Sequence, residues 1–229
     1  MSGDREQLLA RVTEALRVPA PRHHEVSAQP RKPSVTAPFR EWLPPVGDSI
    51  DAQIDLFAKQ SDILKTEFCV CASLSVAAEH LSRLAQVHDW KRLALHRGEL
   101  TDAIALKLPP ALQLLSVDAG YEKDDLETAD AGLTECESLV AQTGSVCVTS
   151  LSSGGRALSV LPPHHLVVAR RGQLLADLAA AYEDLAIKYA SGYPSFISLI
   201  SGPSRTGDIE RILVLGAHGP KKLTVLLVP

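Results

Sequence analysis

The sequence predicts an α/β fold built on a parallel β-sheet. From Asp48 onward, apolar residues recur alternately at helical and at strand spacing. The strand-like runs are short and apolar and are separated by helical segments, which is the pattern of βαβ units. The chain of 229 residues is 45% hydrophobic and 22% charged, an ordinary globular composition. A chain of this length can bury about 70% of its unfolded surface in one core.

Each element of this fold follows from the spacing of its apolar residues. Helices are predicted over residues 48–64, 76–87, 101–106, 124–130 and 173–189. Strands are predicted over residues 68–72, 93–96, 112–117, 144–150, 165–169, 196–200, 212–215 and 223–228. We expect the last of these strands to return antiparallel after a turn at Gly219-Pro220.

The residues before this alternating region form a separate arm. Apolar residues at helical spacing behind a capping Asp4 predict a short amphipathic helix over residues 1–17. Residues 18–46 carry seven prolines and few large hydrophobic residues, which is typical of an extended linker. The predicted organisation is therefore a helix (1–17), a proline-rich linker (18–46) and an α/β domain (47–229).

The charge balance excludes several classes of function. Residues 1–46 hold seven Lys or Arg and five Asp or Glu, so the remaining residues hold sixteen and twenty-two. This net negative charge argues against nucleic acid as the main partner. The polar start of the chain does not resemble a signal peptide, and no apolar run approaches the roughly 18 residues of a membrane span. We therefore expect a cytoplasmic protein.

The four cysteines are predicted to be buried and reduced. They are too few for a disulfide framework in a chain of this length, and no Cys-x-x-Cys pair occurs. Cys69 and Cys71 alternate along a predicted strand, so both side chains point to one face, where small apolar residues commonly pack. We expect no metal site in the chain.

The polar segment from Ser201 to Glu210 is the most informative stretch of the sequence. It has the glycine spacing of a phosphate-binding loop, but Asp208 and Ile209 replace the lysine and hydroxyl residue that phosphate and magnesium require. What remains is a strand followed by a loop rich in functional groups, where open α/β sheets bind ligands. The candidate ligand-binding residues of this loop are Ser201, Gly202, Ser204, Arg205 and Thr206, and its candidate catalytic carboxylates are Asp208 and Glu210. Alternatively, Thr206 only caps a helix and Asp208 supports the helix dipole.

Histidines supply further candidates. His218, a candidate catalytic residue, follows a predicted strand and stands among small residues that leave its imidazole accessible. Of these small residues, Gly216 and Gly219 are candidate ligand-binding residues. An accessible imidazole can transfer protons, although a turn with a backbone-bonded histidine explains the segment as well. His164 and His165 are adjacent on a predicted strand and face opposite ways, so at most one can join a site.

A third group of candidates lies between Gly132 and Gly144. Thr134 and Glu137 have the spacing of a capping box at the start of a short helix. Glu137 could instead face the same cleft as a base or nucleophile. The segment from Ser152 to Arg156 is predicted to be a hairpin turn, with anion binding as the alternative.

These motifs in this order resemble the LUD domain of the lactate-utilisation protein C family. The resemblance rests on Ser201 to Ser204, Asp208 to Glu210, Gly216 to Pro220, Gly132 to Gly144 and Leu161 to Val168. It implies a Rossmann-like open sheet similar to the sugar-phosphate isomerase and CoA-transferase superfamily. It also implies a role in the bacterial oxidation of L-lactate to pyruvate, beside partner proteins that carry iron–sulfur clusters.

Two residues depart from the family pattern. Gln142 stands where an acidic residue is expected, and Glu137 where aspartate is usual. The resemblance therefore shifts acid–base chemistry toward Asp208, Glu210 and His218, with Glu137 as a further candidate.

Three functions follow from the sequence. The first is a subunit or accessory of a lactate-oxidising iron–sulfur complex, with the clusters on partner subunits and no cofactor in this chain. The second is an independent enzyme or binder for a small anionic metabolite that is phosphorylated or linked to CoA. The third is a non-catalytic scaffold that docks partners through residues 1–46.

Overall fold

A computed structural model describes residues 43–118, 120, 123–207, 213–215 and 219–229, together with six residues between 7 and 17. The chain divides into two compact units, Met1–Trp42 and Leu43–Pro229. The six described residues of the first unit are helical. The predicted linker lies almost wholly outside the described residues, so the boundaries of the arm stay predictions.

The second unit contains five α-helices and twelve strands among its described residues. The helices are α1 (Ile50–Leu64), α2 (Leu74–Val87), α3 (Glu99–Ala105), α4 (Lys123–Glu127) and α5 (Leu178–Lys188). The strands are β1 (Glu67–Val70), β2 (Arg92–Leu95), β3 (Gln113–Ser116), β4 (Ala131–Thr134), β5 (Ser138–Val140), β6 (Ser145–Thr149), β7 (His164–Arg170), β8 (Leu174–Leu175), β9 (Ile197–Ile200), β10 (Arg205–Gly207), β11 (Leu213–Leu215) and β12 (Lys222–Val228). A 3₁₀ helix spans Arg171–Gln173.

The main sheet confirms the predicted α/β class. It has six strands in the order β1-β12-β7-β4-β2-β3, and every neighbouring pair in it is parallel. A second sheet has four strands in the order β8-β5-β6-β9, and β10 pairs antiparallel with β11. Parallel strands require crossover connections. Helices α2, α3 and α4 lie in the connections from β1 to β2, β2 to β3 and β3 to β4, whereas the connection from β4 to β7 contains β5 and β6 of the second sheet.

The two faces of the main sheet bury separate apolar clusters. On β7, Leu166 and Val168 contact the cluster that includes residues of α2 and α3. Val167 and Ala169 point the other way and contact the cluster that includes Phe57 of α1 and residues of the second sheet. Because strand side chains alternate between faces, one buried strand supplies both clusters.

The prediction of an antiparallel final strand is wrong. β12 runs parallel to both β1 and β7 and lies between them. Residues Leu223 to Val228 are all buried, so the continuous apolar run is that of a strand covered on both faces.

The helix predicted over residues 173–189 begins later, at Leu178. Asp177 is its N-cap, and its side chain accepts a hydrogen bond from the Ala180 N–H. Leu174, which the prediction placed in this helix, belongs to β8 and pairs with Leu139 of β5. Backbone pairing with a strand distant in sequence therefore replaces the first helical turns.

Two local interpretations also prove wrong. Thr134 and Glu137 form no capping box, because Thr134 ends β4 and the residues after Glu137 form β5. The segment from Ser152 to Arg156 is no hairpin turn, because β6 and the next strand, β7, belong to different sheets. It is a turn in the crossover between the two sheets.

The cysteines are free thiols, and three of the four are buried as predicted. Burial, together with Cys69 nearby, raises the pKa of Cys71 to about 12. Burial also raises the pKa of Cys147 to about 11. Cys69 is partly buried. Raised pKa values keep Cys71 and Cys147 protonated at neutral pH, so these two thiols act as small apolar side chains.

Candidate functional site

The segment from Ser201 to Ser204 is fastened to the end of helix α1. Gly202 has φ +91° and packs so closely that a Cβ there would lie 2.8 Å from the Leu64 carbonyl oxygen. Only glycine suits this conformation and this approach. The Arg205 guanidinium donates a hydrogen bond to the same carbonyl oxygen, which is one of the carbonyls that a helix end leaves unpaired. The loop after β9 therefore has a fixed position.

This segment forms one wall of a cavity of about 300 Å³, which we call the neutral cavity. Three predicted ligand-binding residues, Gly202, Ser204 and Gly219, lie in its wall. The Ser204 N–H donates to the Pro220 carbonyl over 2.9 Å, which joins the two loops. The remaining lining residues are Ser159, Val160, His165, Phe196, Ser198, Leu199, Ile200, Pro203, Pro220 and Leu223. None of these described lining residues is Asp, Glu, Lys or Arg.

His165 lies in the wall of the neutral cavity and is only 1% exposed. Its Nε2 lies 2.9 Å from the Thr134 hydroxyl oxygen, at the carboxyl end of β4. Burial, with a smaller contribution from His164, lowers the pKa of His165 to about 3. The imidazole is therefore neutral at physiological pH. Thr134 does not line the cavity itself but contacts His165, which does.

Gly132 brings a second polar residue to this cavity. A Cβ at Gly132 would lie 2.6 Å from the Leu158 carbonyl oxygen, so the crossover segment packs directly on β4. Ser159, the next residue, is thereby held in the cavity wall at 2% exposure. The close approach of two backbones thus places Ser159 in the same wall as His165.

A second cavity, of about 480 Å³, adjoins the first and shares Pro203 and Leu223 with it. We call it the basic cavity because Lys65, Arg205, Lys221 and Lys222 line it, with Glu67 as its one described carboxylate. His88, His164 and Thr224 complete its polar lining. It is suited to an anionic group.

The carboxylate of the basic cavity is already engaged. Glu67 Oε2 accepts a hydrogen bond from the Thr224 hydroxyl over 2.9 Å, and Oε1 lies 3.1 Å from His80 Nε2. The Thr224 oxygen lies 2.8 Å from His164 Nε2. Burial, followed by the charge of Lys222, lowers the pKa of His164 to about 4. His164 is therefore uncharged at neutral pH, and the lysines and Arg205 supply the positive charge.

Glu137 lines neither cavity. Its side chain is 1% exposed and accepts hydrogen bonds from the Thr149 and Tyr189 hydroxyls, each over 2.7 Å. The Lys188 ammonium group donates to the other carboxylate oxygen. Burial raises the pKa of Glu137, but these hydrogen bonds outweigh it, and the net pKa lies below the usual value. Glu137 is thus a buried anion that joins α5 to the second sheet.

The predicted site residues therefore separate into groups. Gly202, Ser204 and Gly219 meet at the neutral cavity, Arg205 lies at the basic cavity, and Thr134 contacts His165. Ser201 is exposed, and its hydroxyl lies 2.7 Å from that of Ser145. Thr206 belongs to β10, but its side chain lies outside the described part of the chain. Asp208, Glu210, Gly216 and His218 also lie outside the described residues.

Sequence reasoning missed several residues. It recognised the His164-His165 pair but did not connect His165 to Thr134. Ser159 carries no motif and reaches the cavity only through the contact at Gly132. Lys188 ends α5 and Tyr189 is the C-cap of this helix, and no local motif indicates that they contact Glu137. In the described residues, no group of three or more His, Cys, Asp or Glu could hold a metal ion. No described helix is both long and apolar enough to cross a membrane.

Curated proteins from bacteria match part of this chain. The chain is 36% identical over 104 residues to lactate utilization protein C of Halalkalibacterium halodurans. The matched region covers 44% of this chain and 45% of that protein. The chain is also 36% identical over 105 residues to lactate utilization protein C of Deinococcus radiodurans. That match covers 45% of this chain and 49% of that protein. The chain thus spans about half the length of these two curated relatives.

A solved structure supports the fold. The crystal structure of a DUF162 family protein from Deinococcus radiodurans matches with a TM-score of 0.64 over 79% of this chain and 99% of that chain, at 22% identity. The LUD domain family model matches residues 69–228, which include five strands of the main sheet, the second half of β1 and the described lining of the neutral cavity. The chain therefore belongs to the LUD domain family.

Proposed function

We propose that this protein acts in L-lactate utilisation, as a subunit or accessory of an iron–sulfur oxidase complex that converts lactate to pyruvate. The observation that carries the proposal is the family match over residues 69–228, together with relatives named lactate utilization protein C. The neutral and basic cavities supply the chain with places to bind a small metabolite.

The proposal assigns the iron–sulfur clusters to partner subunits. Such clusters are held by sets of four ligands, mostly cysteine thiolates. In this chain Cys69 and Cys71 are neighbours, with 3.9 Å between the sulfur atoms, while Cys136 and Cys147 pack in other apolar clusters. This division of the thiols supports a chain that works beside cluster proteins.

Deletion of the gene tests the proposal. The deletion strain is expected to lose growth on L-lactate and to keep growth on pyruvate, because only the oxidation step is missing. The full-length gene supplied in trans should restore growth, and the tagged protein should co-purify with iron–sulfur proteins from lactate-grown cells. Normal growth of the deletion strain on L-lactate would contradict the proposal.

The basic cavity favours a second candidate function, a binder or enzyme for a phosphorylated or CoA-linked metabolite. Lys65 and Lys221 line the cavity and make no ion pair with another described residue. Arg205 and Lys222 add charge to the same walls. Unpaired cations that converge on one cavity attract phosphate groups.

Charge removal at this cavity tests the second candidate. Pyrophosphate and coenzyme A are expected to raise the Tm of the wild-type protein. At a ligand concentration one hundred times the Kd, binding adds about 2.7 kcal/mol to the free energy of unfolding. The double variant Lys65→Gln/Lys221→Gln should lose most of this stabilisation. Lys59→Gln, which removes a lysine that does not line the cavity, should keep it. Equal shifts in both variants would count against a site in the basic cavity.

A further inference from the structure

Two thiols lie side by side at one edge of the main sheet. Cys69 belongs to the edge strand β1, and Cys71 directly follows the end of that strand. Both side chains pack against the same apolar cluster, as alternate residues of a strand do. The sulfur atoms are 3.9 Å apart, and the Cys71 thiol is directed at the Cys69 sulfur and carbonyl oxygen. The two sulfur atoms are therefore positioned to react with each other.

The two thiols differ in their access to solvent. Cys69 is only partly buried, whereas Cys71 is 2% exposed. A reagent from solvent therefore reaches Cys69 first, and Cys71 is left to react with its neighbour. An accessible cysteine beside a second, resolving cysteine is the arrangement of redox-sensitive pairs.

The spacing along the strand allows a disulfide bond. Such a bond needs Cα atoms about 4.4–6.8 Å apart. Alternate residues of a strand lie about 6.4–6.8 Å apart, which is the upper end of that range. The bond can therefore form but would be strained, and strained disulfides are readily reduced again. As the bond forms, the hydrogen bond of 2.8 Å from the Cys71 N–H to the Leu227 carbonyl must lengthen.

Metal binding explains this pair less well. Structural zinc and iron–sulfur sites take four ligands. In the described part of the chain, no group of three or more His, Cys, Asp or Glu could hold a metal ion. Cys136 and Cys147 pack in other apolar clusters. The pair therefore has the chemistry of an isolated dithiol.

We propose that Cys69 and Cys71 form a peroxide-sensitive redox site that closes to an intramolecular disulfide. The Cys69 thiolate attacks one oxygen of hydrogen peroxide and the O–O bond breaks. The other oxygen leaves as water after taking up the proton that Cys69 had lost, and Cys69 becomes a sulfenic acid. The Cys71 sulfur then attacks the Cys69 sulfur, the S–O bond breaks, and the hydroxyl leaves as water with the Cys71 hydrogen.

This reaction is balanced. The two thiols together lose two electrons and two hydrogen atoms, and one molecule of hydrogen peroxide is reduced to two molecules of water. The proposal goes beyond the lactate role and does not depend on it.

Mass spectrometry of the purified full-length protein tests the proposal. The protein is treated with hydrogen peroxide, and its remaining thiols are alkylated after denaturation. Trypsin cleaves after Lys65 and Arg83, so peptide 66–83 contains both cysteines. We expect this peptide to be unalkylated and lighter by two hydrogen atoms than the reduced peptide. The thiol count should fall from four to two, and dithiothreitol should restore it.

The other two cysteines provide an internal control. Cys136 and Cys147 are 3% and 0% exposed and lie together in the tryptic peptide 124–156. Because peroxide does not reach them, both should remain free thiols that alkylate fully after denaturation.

Two variants separate the roles of the pair. Cys69→Ser should keep Cys71 as a free thiol after peroxide treatment, because the remaining sulfur is covered. Cys71→Ser should still react at Cys69 and proceed to the sulfinic acid, because no thiol captures the sulfenic acid. Equal oxidation of the single remaining thiol in both variants would contradict this order of events.

Three further results would overturn the proposal. They are two free thiols in peptide 66–83 under conditions that oxidise glutathione fully, oxidation of peptide 124–156 at the same rate, and a disulfide that joins Cys69 residues of two molecules. All are measured on the purified protein. Failure here is therefore distinct from failure of the growth test on lactate.

Discussion

Replacement of Lys188 by methionine is expected to destabilise the protein by about 3 kcal/mol at neutral pH, the lower end of the range for breaking a buried ion pair. The variant leaves the Glu137 carboxylate without its counter-ion, and that side chain is 1% exposed. The lower end applies because the Lys188 side chain is 54% exposed and partly screened by water. Thermal unfolding should show a Tm lower by about 6–12 °C.

The pH dependence of this loss follows from the pKa of Glu137. In the wild type its pKa lies below the usual value, so the ion pair contributes stability at neutral pH that is lost as the pH falls through the folded-state pKa. In Lys188→Met, burial is no longer offset by the ammonium group, and the pKa of Glu137 should rise. The variant then gains stability as Glu137 is protonated. The difference from wild type should therefore be largest at neutral pH and shrink in acid.

Glu137→Gln is the control for Lys188→Met, because Glu137 is buried whereas Lys188 is half exposed. Glu137→Gln leaves Lys188 free to reach water and keeps an acceptor for Thr149 and Tyr189, so it should cost less than Lys188→Met. The double variant should be more stable than Lys188→Met alone, because the unpaired charge is gone. If Glu137→Gln proves the more costly change, or if the loss in Lys188→Met does not vary with pH, this assignment fails.

Gly132→Ala is expected to cost about 2–3 kcal/mol, in the upper part of the range for an overpacked core. The added methyl group would lie 2.6 Å from the Leu158 carbonyl oxygen, and a backbone atom cannot move aside as a flexible side chain can. The crossover segment must shift away from β4, and Ser159 moves with it. Chemical denaturation should show the loss of stability.

Gly172→Ala provides the matched control for this substitution. A Cβ at Gly172 would meet no atom within 4 Å, and its φ is not in the left-handed region. The substitution should be neutral or slightly stabilising, because alanine restricts the unfolded chain. An equal loss of stability in both variants would show that the close approach at Gly132 is not responsible.

The parallel sheet could be predicted because its strands are continuous apolar runs separated by amphipathic helices. Leu223 to Val228 illustrate the limit of this reasoning. The apolar run predicts a buried strand but does not predict which strands lie beside it. Its position between β1 and β7 results from pairing with residues that are 157 positions away in β1 and 58 positions away in β7. The strand Ser138–Val140 was missed because three residues are too few to show a period, and one of its two partner strands, β8, is distant in sequence.

The candidate site could be predicted where the chain carries local chemistry and not where the fold creates it. The glycines and hydroxyls of Gly202, Ser204 and Gly219 marked one wall of the neutral cavity. The lining also includes Ser159 and His165, and His165 contacts Thr134, which is 31 residues away in the sequence. Glu137 shows the opposite case, in which a local motif suggested a site residue that the fold buries. Its carboxylate lies in the interior and accepts hydrogen bonds from Lys188, Thr149 and Tyr189.

The most direct test of the neutral cavity is the tautomer of His165. A long-range ¹⁵N–¹H correlation spectrum of the histidine side chains, assigned with a His165→Gln variant, reports which ring nitrogen carries the hydrogen. We predict a neutral imidazole with the hydrogen on Nδ1, because the buried Thr134 hydroxyl donates its hydrogen to Nε2. A hydrogen on Nε2, or a protonated ring at neutral pH, would contradict this assignment of the contact between Thr134 and His165.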